Sequence, residues 1–194
     1  MNNNTLLIIL TENSWLYFGL ATLLQEMECV MLRFNDCLLP DNVRNADRVL
    51  VAVDSLILFS GEWKCFNNLR SSRADAKIYW LTRGVTGFAL PAGNDNYIVL
   101  NQNQNLRVLR NAFRGMIGAT EGVRRVMPIN LTPTERFLLC SFCSGISIKS
   151  LSSITGKSVK TLYSQRHSIL LKKGFRQASF LLFIYKKNYN SLST

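Results

Sequence analysis

Lys160, Thr161, Ser164 and His167 recur at helical spacing within "SVKTLYSQRHSILLKKG" (158–174). On a helix they share one face with no carboxylate, flanked by Gln165 and Arg166. Ammonium, hydroxyl, amide and imidazole groups without acids suit phosphate oxygens and base edges lying in a groove. A plain solvated helix face is the alternative, and it would need only generic polar residues.

The charge distribution favours the first reading. The chain has 194 residues and a net charge of +11. Residues 131–194 hold ten basic residues and one acid, Glu135, whereas 1–130 hold 13 and 11. So asymmetric a field points to a polyanion as partner of the C-terminal third, since clustered Lys and Arg act on phosphates irrespective of sequence.

The elements that must hold this face are marked locally. "LTPTE" places Thr132 as N-cap, Pro133 in the first turn and Glu135 three residues on, a capping box. The helix it opens stops at Gly145; Ser147 caps a second helix that ends at Gly156, and Ser158 caps a third closed by Gly174. Val159, Leu162 and Ile169 are expected to pack on Leu151 and Ile154. Three short helices with tight glycine turns form a helix-turn-helix pattern, and "RQASFLLFIYKKN" supplies a fourth helix.

Upstream, "TLLIILT", "RVLVAVD" (48–54), "AKIYWLT" (76–82) and "NYIVLN" (96–101) read as buried strands. Helix-competent segments alternate with them: "SWLYFGLATLLQEM" with Ser14 as N-cap, "SGEWKCFNNLRSS" and "QNLRVLRNAFRGMIG". The fold class expected is an α/β doubly wound parallel sheet followed by an all-α four-helix domain. "FNDCLLPDNVRNA" and "RGVTGFALPAGND" are read mainly as loops, with room for a short strand or helical turn. Three glycines, paired arginines and a proline within 115–131 mark a linker, placed at 121–130, dividing an N-terminal domain, 1–120, from a C-terminal one, 131–194.

Five cysteines, an odd number, with no basic n-region before the apolar "TLLIIL", predict a reducing, cytoplasmic setting without a membrane span. Cys140 and Cys143 form a C-x-x-C, but it lies inside a helix, no second pair follows and the sole histidine is His167, so no metal site is expected. No catalytic Ser-His-Asp or Cys-His set is supported, and no glycine fingerprint supports a bound nucleotide, so neither an enzyme nor a cofactor nor a small-molecule substrate is expected.

The succession "LTPTE", "SGISIKSLSSI" and "SVKTLYSQRHSILLKKG" resembles the LuxR-type (GerE-like) helix-turn-helix. Leu131, Thr132, Glu135, Gly145, Lys149, Ser158, Lys160, Thr161 and Gly174 match its pattern; Ile148 and Lys173 depart from it. The run "KTLYSQRHS" is most similar to the capsule- and fimbria-regulating branch typified by RcsB and RcsA. The resemblance implies a transcription regulator whose recognition helix spans about 158–172, with double-stranded promoter DNA as partner. Its DNA-binding set would be Lys149, Ser158, Lys160, Thr161, Tyr163, Ser164, Arg166 and His167. It further implies a homodimer, or a heterodimer with a related regulator, and surface-structure operons as targets. The fourth helix would support dimerisation or cover the small core.

An α/β domain ahead of such a helix-turn-helix is similar to the receiver of FixJ/NarL-type response regulators. That resemblance implies acids after the first strand for Mg²⁺, a phosphoacceptor aspartate after the third, a hydroxyl after the fourth and a lysine after the fifth. Here those positions fall on Thr11 and Glu12, on Ala52, on Thr82, and on Leu100 or Asn101; Asp54 stands two residues beyond Ala52, expected at the loop and out of reach. The expectation is a pseudo-receiver with no phosphoacceptor. Trp15, Tyr17 and Phe18 sit where such domains expose the loop before their first helix, as a partner surface or as core. The alternative function is a co-regulator that titrates a related regulator through protein contacts.

Overall fold

Five consecutive apolar residues leave the backbone of "TLLIIL" no solvated face, and the segment forms the central strand β1 (Thr5–Leu10), its last five residues buried. The computed structural model describes residues 5–83, 86–92, 97–115 and 131–192. They divide into two units, the first made of 5–83 and 97–115, the second of 86–92 and 131–192.

In the first unit β1 pairs in parallel with β2 (Glu28–Leu32) on one side and β3 (Arg48–Asp54) on the other, and the sheet continues through β4 (Lys77–Thr82) and β5 (Ile98–Asn101). The order β2-β1-β3-β4-β5 is that of a doubly wound sheet, in which functional groups gather at the carboxyl ends of the strands. Helix α1 (Ser14–Leu23) lies between β1 and β2, α2 (Asp41–Asn45) between β2 and β3, α3 (Ile57–Ser60) and α4 (Lys64–Ser72) between β3 and β4, and α5 (Leu106–Phe113) after β5. One sheet face presents Leu7, Ile9, Leu50, Ala52, Tyr79 and Leu100 to Leu20, Leu109 and Phe113 in a single apolar cluster.

Several expectations are corrected here. The N-cap of α1 is Asn13 rather than Ser14, because Asn13 has the extended backbone of a cap and its side chain accepts from the amides of Trp15 and Leu16. Strand β2 falls where no strand was expected. The segment "FNDCLLPDNVRNA", read mainly as loop with room for a helical turn, contains the five-residue α2, within that expectation.

In the second unit, the capping box opens α6 (Pro133–Cys143): Glu135 N–H donates to Thr132 Oγ1 at 3.2 Å and Thr132 N–H donates to Glu135 Oε2 at 2.8 Å. Helices α7 (Ile148–Thr155), α8 (Val159–Lys172) and α9 (Ala178–Lys187) follow. Gly145, Gly156 and Gly174 take φ of 79°, 67° and 68°, the left-handed backbone required at these turns. Leu151, Leu162 and Ile169 are buried as expected; Val159 and Ile154, expected beside them, are 41% and 64% exposed.

The expected domains, 1–120 and 131–194, place residues 86–92 in the first; they pack in the second unit. Phe88 N–H donates to Lys173 O at 2.8 Å, Ala92 N–H donates to Ser191 O at 2.9 Å, and Pro91 forms an antiparallel bridge with Leu192. Ala89 and Leu90 are buried. A Cβ on Gly174 would lie 2.5 Å from the Phe88 ring, and one on Gly87 2.5 Å from Lys173 O. The expected linker, 121–130, lies outside the described residues.

Candidate nucleic-acid interface

Helix α8 is held from three sides before it can present anything. Its N-cap, Ser158, accepts from Thr161 N–H at 3.1 Å and shares a 2.8 Å hydroxyl contact with Thr161 Oγ1. The tight turn before it is fixed to both neighbouring helices: Ser152 Oγ of α7 donates to Lys157 O at 2.6 Å, and Lys157 Nζ donates to Gln165 Oε1 of α8 at 3.4 Å. Leu162, Ile169 and Leu170 bury the inner face. At the far end Lys172 Nζ donates to Glu135 Oε2 at 2.7 Å and Ser168 Oγ to Glu135 Oε1 at 3.0 Å.

Glu135 therefore serves two purposes, closing the capping box and fastening α8 to α6. Burial pushes its carboxyl up, but Lys172, the Thr132 amide and the hydroxyls of Ser168 and Thr132 outweigh this and hold it at about 2. Glu135, the one acid among the described residues of this unit, is thus engaged internally and is not presented on the outer face of α8.

Outward from this frame stand Lys160, Thr161, Tyr163, Ser164 and His167, all exposed, with Arg166 half-buried beside them. Among the described residues the side chains of Lys160, Ser164 and His167 have no hydrogen-bond or ion-pair partner. The Arg166 guanidinium carbon lies 4.8 Å from the centre of the Tyr163 ring. Lys149, on α7, is exposed. The eight candidate residues thus fall into three kinds: Ser158 and Thr161 spend hydroxyl capacity on the cap, Tyr163 offers its ring to Arg166, and Lys149, Lys160, Ser164, Arg166 and His167 keep donors for an outside partner. Cys140 and Cys143 are half-buried thiols on α6, and burial raises the Cys143 thiol to about 11.

At the carboxyl ends of the strands in the first unit, the positions matched to a receiver give a different picture from the sequence. Ala52 lies in the core, fully buried, and cannot be an edge group. Asp54, expected in the loop out of reach, is the last residue of β3 and is fully buried. Its Oδ2 accepts from Thr11 Oγ1 at 2.8 Å, and its Oδ1 from the Leu56 amide and from Gln102 Nε2, both at 3.1 Å. Arg83 completes the set with an ion pair at 3.5 Å. Gln102, where neither Leu100 nor Asn101 reaches, takes the place expected of a lysine. No sequence pattern marked it, since Gln102 follows the end of β5 in a turn.

The other receiver positions are committed elsewhere. Glu12 accepts from Phe34 N–H at 2.9 Å and pairs with Arg33, and Thr82 Oγ1 donates to Leu100 O at 3.2 Å. These residues do not fit Mg²⁺: a hydroxyl replaces one acid, Glu12 is turned to Arg33, and Asp54 has its oxygens occupied by four protein groups. Among the described residues no cluster of His, Cys, Asp and Glu could hold a metal ion, and no helix is long and apolar enough to cross a membrane.

No family model matches the chain, and no curated protein matches it. Solved structures do. The RcsB two-component response regulator in complex with DNA is 18% identical over 95% of this chain and 99% of its own, with a TM-score of 0.63. RcsB from Salmonella enterica serovar Typhimurium bound to the rprA promoter in the presence of the phosphomimetic BeF3⁻ is 16% identical over 94% and 99%, with a TM-score of 0.60. A structure of two RcsB dimers bound to two parallel DNAs gives 16%, 95%, 99% and 0.59. At such identities the likeness establishes the fold: a receiver-like α/β sheet domain and a four-helix helix-turn-helix domain.

Proposed function

We propose that this chain is a sequence-specific DNA-binding transcriptional regulator that lays α8 into the major groove and works without aspartyl phosphorylation. The observation that carries the first half is the outer face of α8, where Lys160, Ser164 and His167 stand exposed and unpartnered beside Arg166, on a helix braced by Glu135. The fold shared with RcsB, whose structures hold promoter DNA, supports it. Lys160, Ser164 and His167 read base edges; Lys149 and Arg166 contact phosphates. One short recognition helix buries too little surface for genomic specificity, so the chain acts as a dimer, on a partly palindromic site. The sequence resemblance points to surface-structure operons.

The second half rests on Asp54. A carboxylate with no exposed surface and both oxygens engaged offers no nucleophile to a phosphodonor, and among the described residues no Mg²⁺ site stands beside it. Regulation then follows the amount of protein or the binding of a partner. Footprinting a promoter library with purified protein tests the reading: protected, related sites support it.

A second reading, a co-regulator that titrates a sister regulator, is favoured by the uncharged helix α1, on which Trp15 and Phe18 are 86% and 61% exposed and form a groove with Leu106. A pure antagonist leaves no footprint of its own and erases that of the sister regulator.

A further inference from the structure

Arg166 and Tyr163 form a pair that the base-reading face does not by itself require. They are one turn apart on α8, with the guanidinium over the ring at 4.8 Å. Tyr163 is 50% exposed, so its ring is not a core filler. Among the described residues Arg166 has neither a carboxylate partner nor a side-chain hydrogen bond, and the one acid of the unit, Glu135, is engaged by Lys172, Ser168 and Thr132.

A guanidinium held over a ring face by cation–π attraction spends no hydrogen bond on the ring, so its N–H groups remain available as donors. Those donors match two oxygens of a phosphate in bidentate fashion. A long side chain that would otherwise sample many rotamers is therefore held ready beside the base-reading residues. On the opposite flank of α8, Lys157 is held by Gln165.

We propose that Tyr163 is a positioning residue: its ring fixes Arg166 so that the guanidinium meets a DNA phosphate flanking the bases read by Lys160, Ser164 and His167. The inference rests on the DNA-binding reading above and adds to it a pair with a single joint purpose. Tyr163 acts through Arg166, and its hydroxyl is dispensable.

The test uses the full chain and a synthetic duplex selected by the wild-type protein from a random library, with Kd measured across a salt series. Arg166→Ala should weaken binding and lower the slope of log K against log salt by about 0.9, the value of one lost phosphate contact. Tyr163→Phe and Tyr163→Trp should bind within about twofold of wild type, since each retains a ring face for the cation. Tyr163→Leu should weaken binding roughly 2- to 30-fold, the range expected for losing a cation–π hold, and should have little further effect in the Arg166→Ala background. Three results overturn the proposal: Tyr163→Leu equal to wild type, independent and multiplicative effects of the two changes, or Tyr163→Phe as weak as Tyr163→Leu, which would make the hydroxyl the contact. A wild-type protein that selects no duplex at all overturns the DNA reading instead, before any variant is compared.

Discussion

Lys172, the last residue of α8, donates through Nζ to Glu135 Oε2 at 2.7 Å, so the end of the outward-facing helix is fastened to the carboxylate that opens α6. This carboxyl titrates at about 2, below its unfolded range near 4.3. A depressed pKa contributes stability that is full above the unfolded value and is lost as pH falls towards the folded one. Chemical denaturation of the full chain should show the second unit losing stability between about pH 5 and pH 2, and Glu135→Gln should remove much of that slope.

Leu90 and Gly174 test the unexpected membership of 86–92 in the second unit. Leu90→Ala removes a buried side chain and should cost about 2–5 kcal/mol. Gly174→Ala combines a left-handed backbone with a Cβ 2.5 Å from the Phe88 ring and should also destabilise, by at least the roughly 1–2 kcal/mol of the backbone alone. All three tryptophans, Trp15, Trp63 and Trp80, belong to the first unit. Hydrogen exchange of α8 amides should therefore accelerate in both variants while the tryptophan fluorescence transition stays in place.

On the proposed reading Asp54 serves as a hydrogen-bond acceptor within the fold. Purified protein given acetyl phosphate and Mg²⁺ should accumulate no radiolabel, and label lost on Asp54→Asn would contradict this. Asp54→Ala strands the donors of Thr11 and Gln102 and should cost about 1–3 kcal/mol in thermal or urea unfolding.

Lys160→Ala should cost about 1–3 kcal/mol at the specific site and little on random DNA if the ammonium reads a base edge. Equal loss on both would reassign it to a phosphate.

What the sequence disclosed and withheld follows from the range of the interactions. The capping box of Thr132 and Glu135, the serine caps and the glycine stops are local, and α6, α7 and α8 start and end where those residues direct. Strand β3 was legible as a continuous apolar run closing on Asp54. Strand β2 was not read: its apolar run, residues 29–32, is only four residues long, and as an edge strand it buries only Leu32. Ile154 and Val159 were expected in the core because periodicity counts side chains on a face and cannot tell where the neighbouring helix ends. The packing of Phe88 and Leu90 beside residues 173–192 is long-range and leaves no periodic trace. In the candidate interface the exposed set on α8 was legible from spacing, whereas the Tyr163–Arg166 stack and the Gln102–Asp54 bond depend on side-chain directions that no pattern specifies.

The most direct measurement is selection of duplex DNA from a random-sequence library by the full-length protein, run beside a variant carrying Lys160→Ala and His167→Ala. The account predicts that the wild-type protein converges on one related, partly palindromic motif and that the variant, equally folded, does not. Recovery of unenriched sequence by a folded wild-type protein, or the same motif from both proteins, would contradict it.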